Sequence, residues 1–343
     1  MTDVVQQMVE KVRHAAATGT PLSILGGGSR GMRPSGQSLR VSAYRGIVDY
    51  DPRELYLTAR AGTPLEEIEA ILATEGQMLA FEPPRFSPDS TLGGAFASGA
   101  SGPRRPYAGA ARDFVLGCRM VDGRGEVLRF GGQVMKNVAG YDVARLMAGA
   151  WGTLGVVLDI SLKVLPRPQT SLTLVHESPL DLALPRMREI SAKPLPLDAV
   201  CHLDGRLHLR FSGSEDAVQA ARRRLGGEVL QDADRFWQRL RDRQLPFFDG
   251  EMPLWRLAVP TTATLGLQGA WLVEWGGAQR WLRTSAAAAT VCAAAQAAGG
   301  HATLFQGVCP LSFPSLGGAL LALHGRLKAV FDPHGLFNPG VLF

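Results

Sequence analysis

The chain has 343 residues, 46% hydrophobic and 20% charged, a composition that suits a globular protein with a large core and excludes a fibrous repeat, a disordered tail or a disulfide-stapled mini-protein. Its 36 basic and 31 acidic residues leave a net charge of +5, which implies no nucleic-acid partner in the absence of a stacking-aromatic module. Four cysteines, Cys118, Cys201, Cys292 and Cys309, include no C-x-x-C pair, so the chain alone holds neither an iron–sulfur cluster nor a four-thiolate zinc.

At this length one core usually stops growing, and two domains, or one domain with a cap, are expected. The opening residues lack a charged and then apolar leader, and no run reaches the ~18 apolar residues of a membrane span, so a cytoplasmic address is expected. The arginines at 222–224 and 235–243 are interleaved with apolar and acidic residues at helical spacing and read as solvated helix faces.

In chain order, Val5, Met8, Val12 and Ala15 recur on one helical face until Gly19 and Pro21 stop the pattern. Leu22–Leu25 then reads as a short buried strand. Ile47–Tyr50 and Leu55–Ala61 read as paired strands across Asp51-Pro52. Thr63-Pro64-Leu65-Glu66 combines an N-cap, a proline at the first helical position and a capping-box glutamate, with Leu65, Ile68 and Leu72 facing inward. From Phe81 to Gly155 glycine and alanine become dense. Strand pattern returns over Leu154–Ile160 and Leu162–Leu165, and Pro166-Arg167-Pro168 marks the best boundary. Beyond it, strands near Ala199–Phe211, Leu254–Val259, Ala270–Glu274 and Thr303–Phe305 alternate with helices near Glu215–Leu225, Gln279–Ala298 and Leu316–Phe331, an α+β pattern.

Four glycine clusters carry the chemistry. Gly26-Gly27-Gly28-Ser29-Arg30-Gly31 satisfies G-x-G-x-x-G after a strand, but Met32-Arg33-Pro34-Ser35-Gly36 cannot start the helix that a Rossmann site requires. The surviving alternatives are an anion nest of successive backbone N–H groups and a plain glycine-rich turn. Thr91-Leu92-Gly93-Gly94-Ala95 with Ser98-Gly99-Ala100-Ser101-Gly102 suits a backbone pressed against a flat ligand, because a Cβ would collide with it. The third cluster runs from Gly131-Gly132 to Lys136-Asn137-Val138-Ala139-Gly140-Tyr141-Asp142. The fourth, Gly149-Ala150-Trp151-Gly152-Thr153-Leu154-Gly155-Val156-Val157, leads into a strand.

These clusters, in this order and closed by Asp332-Pro333-His334-Gly335-Leu336-Phe337-Asn338-Pro339-Gly340, resemble the PCMH-type FAD-binding (vanillyl-alcohol-oxidase-like) flavoproteins. Arg112 through Gly117, Met135 through Asp142, Gly276-Gly277-Ala278 and Gly299 through Thr303 are similar to the FAD-binding E subunits of bacterial glycolate oxidases. The resemblance spans essentially the whole chain. It implies an α+β fold in which a PCMH-type FAD-binding domain of two α+β lobes (1–166) is followed by a cap-like α+β domain (167–343) whose C-terminal segment returns to the flavin domain. It assigns Gly26, Gly27, Gly28 and Ser29 to the pyrophosphate and Thr91, Gly93 and Gly94 to the flavin. Ser98, Gly99 and Gly102 would follow the diphosphate and ribityl path, with Gly155 and Val156 near the adenine.

The departures matter as much. Before residue 176 the chain has only His14, which excludes the covalent histidyl attachment of some relatives, so non-covalent FAD is expected. The His-x-Gly-Asp-Gly-Asn motif of catalytic 2-hydroxy-acid-oxidising subunits is missing. His202 and His208 flank an Asp204-Gly205 hairpin without a third, carboxylate ligand, and no metal is expected. The resemblance then implies an FAD subunit of a complex that oxidises glycolate to glyoxylate, serving electron transfer or assembly. Its partners would be a homologous FAD-containing catalytic subunit and an iron–sulfur subunit, through which any membrane association would arise. Two alternatives stand beside it. One is a stand-alone FAD-dependent 2-hydroxy-acid dehydrogenase with His301 or Tyr141 as base; the other is a structural subunit with a vestigial flavin pocket.

Overall fold

A computed structural model describes residues 3–29, 35–133, 140–307, 313 and 316–342. The chain divides into two compact units. The first takes Met1–Ser101, Gly109–Arg167 and Leu316–Phe343; the second takes Gly102–Ala108 and Pro168–Ser315.

The first unit opens with the helix Asp3–Thr18, which buries Val5, Met8, Val9, Val12 and Ala15, the expected stripe plus Val9. The strand Leu22–Leu25 follows and pairs in parallel with Gln37–Arg40, while Phe337 from the C-terminal segment bridges to Leu22. The larger sheet has five antiparallel strands in the order Ile47–Asp51, Tyr56–Arg60, Val156–Lys163, Val115–Val121 and Val127–Gly131. Its central strand, Val156–Lys163, is buried at every position except Lys163, as expected of a strand covered on both faces. Helix Leu65–Thr74 buries Leu65, Ile68 and Leu72. The expected cap at Thr63 does not form. Pro64 is the N-cap, and the Thr63 hydroxyl donates instead to the Arg60 carbonyl at 2.7 Å.

The second unit is built on one eight-stranded antiparallel sheet. Its order is Glu228–Val229, Thr170–Glu177, Arg206–Gly213, Leu197–Leu203, Ala270–Glu274, Gln279–Arg283, Leu254–Ala258 and His301–Gln306. Leu174, Val200, Leu209, Phe211 and Val273 pack one core with Met187 and Ile190 of the helix Leu180–Ser191. On the opposite face Cys201, Leu254, Leu272 and Trp281 pack with Trp237 and Leu240 of the helix Ala233–Arg241. The aromatic side chains of this half are therefore core: Trp281 stands edge-on to both Phe248 and Phe305.

Two sequence expectations fail here. Gln279–Arg283 is a buried strand, and the helix spans only Ala288–Ala297. Arg280, Trp281 and Leu282 alternate between the two faces of a sheet whose cores accept both, so strand pairing overrides the alanine-rich helical signal that follows. Arg243 is likewise no solvated residue. It lies against the Trp281 ring at 4.4 Å and pairs at 3.7 Å with Glu274, which is fully buried.

Candidate functional site

A cleft of about 970 Å³, including space open to solvent, lies in the first unit. Most of its lining comes from four places in the sequence, with Val41, Ala61 and Leu65 between them. Ile24 through Ser29 form one wall, and Pro84, Phe86 and the helix start at Ser90–Ser98 form the second. Trp151, Gly152, Gly155 and Val157 form the third, and Asn338 closes the rim. Among the described residues no ionisable side chain lines it.

Local chemistry explains the walls. The strand Leu22–Leu25 ends where Gly28 takes φ +72°, a left-handed value open to glycine. Beyond that strand, the backbone N–H groups of Gly26, Gly27, Gly28 and Ser29 make no hydrogen bond to a described protein acceptor. The Ser29 hydroxyl accepts from that of Ser90 at 3.1 Å. Thr91 caps the helix Leu92–Ser98 by accepting from the Gly94 N–H at 3.2 Å, and Gly99, at φ +60°, ends that helix.

The glycines serve two purposes. A Cβ on Gly27 would stand 1.6 Å from the Asp89 carbonyl oxygen, one on Gly93 2.8 Å from Ala61, and one on Gly155 2.1 Å from Met120. Their smallness lets the cleft walls approach one another. A Cβ on Gly28 would meet nothing, so its glycine answers to backbone conformation.

Of the residues expected at the cofactor, Gly26, Gly27, Gly28, Ser29, Thr91, Gly93, Gly94, Ser98 and Gly155 meet at the cleft. Gly99 and Val156 do not line it: Gly99 sits in the helix cap behind the wall, and Val156 is buried next to the lining Val157. Gly102 belongs to the second unit, where its carbonyl accepts from Trp275 Nε1 at 2.9 Å. Tyr141 is 96% exposed and does not line the cleft. His301 opens the edge strand of the second unit. Arg30 through Pro34, Lys136 through Ala139 and Cys309 fall outside the described residues. In the second unit, His202 Nε2 bonds the Ser178 carbonyl at 2.9 Å and His208 stacks on Phe236 with ring centroids 4.3 Å apart.

Asn338 contributes more than its motif suggested. Its Oδ1 accepts from the Ile24 N–H at 2.7 Å, and its Nδ2 donates to the Trp151 carbonyl at 2.8 Å. One side chain thus ties the glycine-loop strand to the third wall. Behind it, Lys328 Nζ donates to the Thr153 carbonyl at 2.6 Å and to Asp332 at 2.6 Å. Asp332 in turn accepts from the Leu336 and Phe337 N–H groups, which fixes the terminal turn. Trp151 is a lining residue that sequence reasoning passed over. It takes φ +54° between Gly149 and Gly152, both also at positive φ, and that run of turn residues was the available signal.

A row of unclaimed backbone donors fits a diphosphate, and a narrow, uncharged cleft with small-residue walls fits the rest of a dinucleotide. Fold and site together define an FAD-binding flavoprotein. Residues 3–131 match the family described as the FAD binding domain. The chain belongs to the family of the glycolate oxidase subunit GlcE: it is 48% identical to that protein of Escherichia coli over 99% of this chain and 98% of the relative. Glycolate oxidase subunit GlcD of Bacillus subtilis is 35% identical over 44% of this chain and 32% of its own length. Among solved structures, an alkyldihydroxyacetonephosphate synthase superposes with a TM-score of 0.69 at 16% identity, over 98% of this chain and 75% of that one, which establishes the shared fold. The chain is thus an oxidoreductase-family flavoprotein, and among its described residues no helix is long and apolar enough to cross a membrane.

Proposed function

We propose that this chain is the non-covalent FAD subunit of a complex that oxidises glycolate to glyoxylate, with its own flavin serving electron transfer or assembly. The observation that carries the reading is the make-up of the cleft: four successive backbone N–H groups make no bond to a described protein acceptor, and none of the described lining side chains acts as acid or base at pH 7. When bound, FAD supplies the redox chemistry, accepting and releasing electrons. Gly26 through Ser29 hold its diphosphate. Thr91, Gly93, Gly94 and Ser98 hold the flavin side, while Gly155 and its neighbours Trp151 and Val157 close the opposite wall. Asn338 keeps the walls in register.

The names of the relatives support a multi-subunit assembly. We assign it a homologous FAD-containing subunit, where substrate oxidation takes place, and an iron–sulfur subunit: if electrons leave through iron and sulfur, another chain must supply both, because four scattered cysteines here cannot hold a cluster. Any membrane association comes through those partners. The residues of the first unit form the flavin domain and those of the second the cap-like domain.

The test is to produce the chain alone and with its partners, then record flavin absorbance, acid-released FAD and glycolate-driven dye reduction. A yellow but inactive chain that becomes active on assembly is the expected result. Glycolate oxidation by the isolated chain would overturn the division of labour, and a chain that stays colourless with added FAD would overturn the cofactor assignment.

A further inference from the structure

The sheet of the second unit carries a buried charged row that the flavin cleft does not use. Glu274, fully buried, accepts at Oε1 from Trp281 Nε1 at 2.7 Å and from Gln279 Nε2 at 2.6 Å, and pairs with Arg243 at 3.7 Å. The Gln279 amide is thereby oriented with its oxygen pointing away, and that oxygen accepts from Arg256 Nε at 2.5 Å. One acid and two arginines share this row. Glu274 is matched by Arg243, which leaves the Arg256 charge over.

Arg256 makes no ion pair among the described residues, and every Asp and Glu of the chain is described. The charges nearest it are Arg243, Arg105 and Glu274; burial first, and then the two like charges, pull its guanidinium down to about 10. Its face is covered by the Trp275 ring at 5.4 Å. Its two Nη atoms make no hydrogen bond among the described residues, and the residue is half-buried.

Structural arginines of the same unit behave otherwise. Arg283 donates to the carbonyls of Phe247, Phe248 and Met252, Arg280 to those of Gly277 and Ala263, and Arg210 to Asp198. Arg256 alone among these keeps its outer fork unspent.

Two further polar groups share its face of the sheet. Thr303 stands directly across from Arg256 on the edge strand, and His301 lies two residues along. Neither side chain makes a hydrogen bond among the described residues, although Thr303 is only 8% exposed. Burial, reinforced by Arg256, lowers the His301 pKa and keeps the ring neutral.

We propose that Arg256, Thr303 and His301 form a binding site for a small 2-hydroxy or 2-oxo monocarboxylate, the fork of Arg256 taking the carboxylate and Thr303 and His301 the neighbouring oxygen. A planar guanidinium with two free donors matches a carboxylate in bidentate fashion. A hydroxyl and a neutral imidazole beside it give the α-oxygen a donor and an acceptor. Gln279 is the positioning residue: an amide there orients Arg256 without neutralising it. The choice of 2-hydroxy and 2-oxo acids rests on the glycolate reading, whereas the unpaired cation does not.

The test is calorimetric titration of the full chain with FAD, using glycolate, glyoxylate, acetate and inorganic phosphate as probes. Wild type should bind glycolate and glyoxylate at roughly millimolar strength, and Arg256→Gln should weaken both by about tenfold or more. Arg256→Lys should retain part of the affinity. Thr303→Val should lower glycolate binding about threefold while leaving acetate unchanged. Arg256→Gln removes a charge that has no acid partner among the described residues, so its denaturation midpoint should not fall below that of wild type, which guards against misfolding as the explanation.

Absence of carboxylate binding in the wild-type chain would overturn the proposal. So would unchanged affinity in Arg256→Gln, or phosphate binding as tightly as glycolate. If the assembled complex oxidises glycolate while this chain binds no acid, only the present inference fails. If the chain binds carboxylates through Arg256 and the complex leaves glycolate untouched, only the functional reading fails.

Discussion

The flavin cleft and the charged row of the second sheet solve opposite problems. The cleft offers only uncharged groups: its donors are backbone N–H groups, and no ionisable side chain lines it among the described residues. The row buries Arg243, Glu274 and Arg256 within an aromatic core and satisfies them only in part, leaving Glu274 Oε2 and Arg243 Nε without partners. A cleft made of backbone depends on spacing, so one added methyl group can close it. A row made of charges depends on balance, so the loss of one member exposes the next.

The largest effect expected from breaking this contrast is at Gly27. Alanine or valine there would place a Cβ 1.6 Å from a backbone oxygen, and the purified protein should lose its flavin absorbance altogether. Glu274→Leu comes next. It strands the buried Arg243, and chemical denaturation should show a loss of about 3–5 kcal/mol, with Glu274→Gln milder because both donors to Oε1 keep an acceptor.

Asn338→Ala removes the two side-chain bonds between cleft walls and should cost about 2–3 kcal/mol. Unlike Glu274→Leu, it should raise the dissociation constant for FAD, read by fluorescence titration.

The smallest effect is with pH. Burial, with Arg206 and His202 nearby, lowers His208 to about 4 from its ordinary 6.5. The unfolded chain therefore takes up a proton as pH falls through 6.5 while the folded chain does not until about 4, so stability declines across that window. By pH 5 the loss should reach about 2 kcal/mol in denaturation curves, and His208→Leu should flatten it. Flavin retention at fixed folded fraction should stay level, because none of the described lining groups titrates there.

Much of the first unit was legible in the sequence because its signals are local. The stripe of Val5, Met8, Val12 and Ala15, the strand at Leu22 and the glycine loop each declare themselves within a few residues. The purpose of each glycine was not legible. Gly27 and Gly28 are adjacent and identical, yet one makes room for a carbonyl and the other supplies a left-handed turn. Thr63 read as a cap and instead holds the preceding turn, since its hydroxyl bonds the Arg60 carbonyl and the Gly46 backbone, which local sequence does not bring into view.

The second unit hid more. Gln279–Arg283 lies beside an alanine-rich helix, and only its pairing with two neighbouring strands makes it a strand. Arg243 sits in a run of arginines that resembles a solvated face, and only the position of Glu274, 31 residues along, brings it inside. Short-range periodicity by itself determined the individual helices and strands of the first unit, because helix faces and turns are properties of neighbouring residues, while the flavoprotein fold was implied by the resemblance of the ordered glycine motifs to a known family. Which charges are buried, which are balanced and which is left over at Arg256 was decided by the tertiary structure alone. Electrostatic balance depends on distance in space and on exclusion of water, and neither is written in the order of the residues.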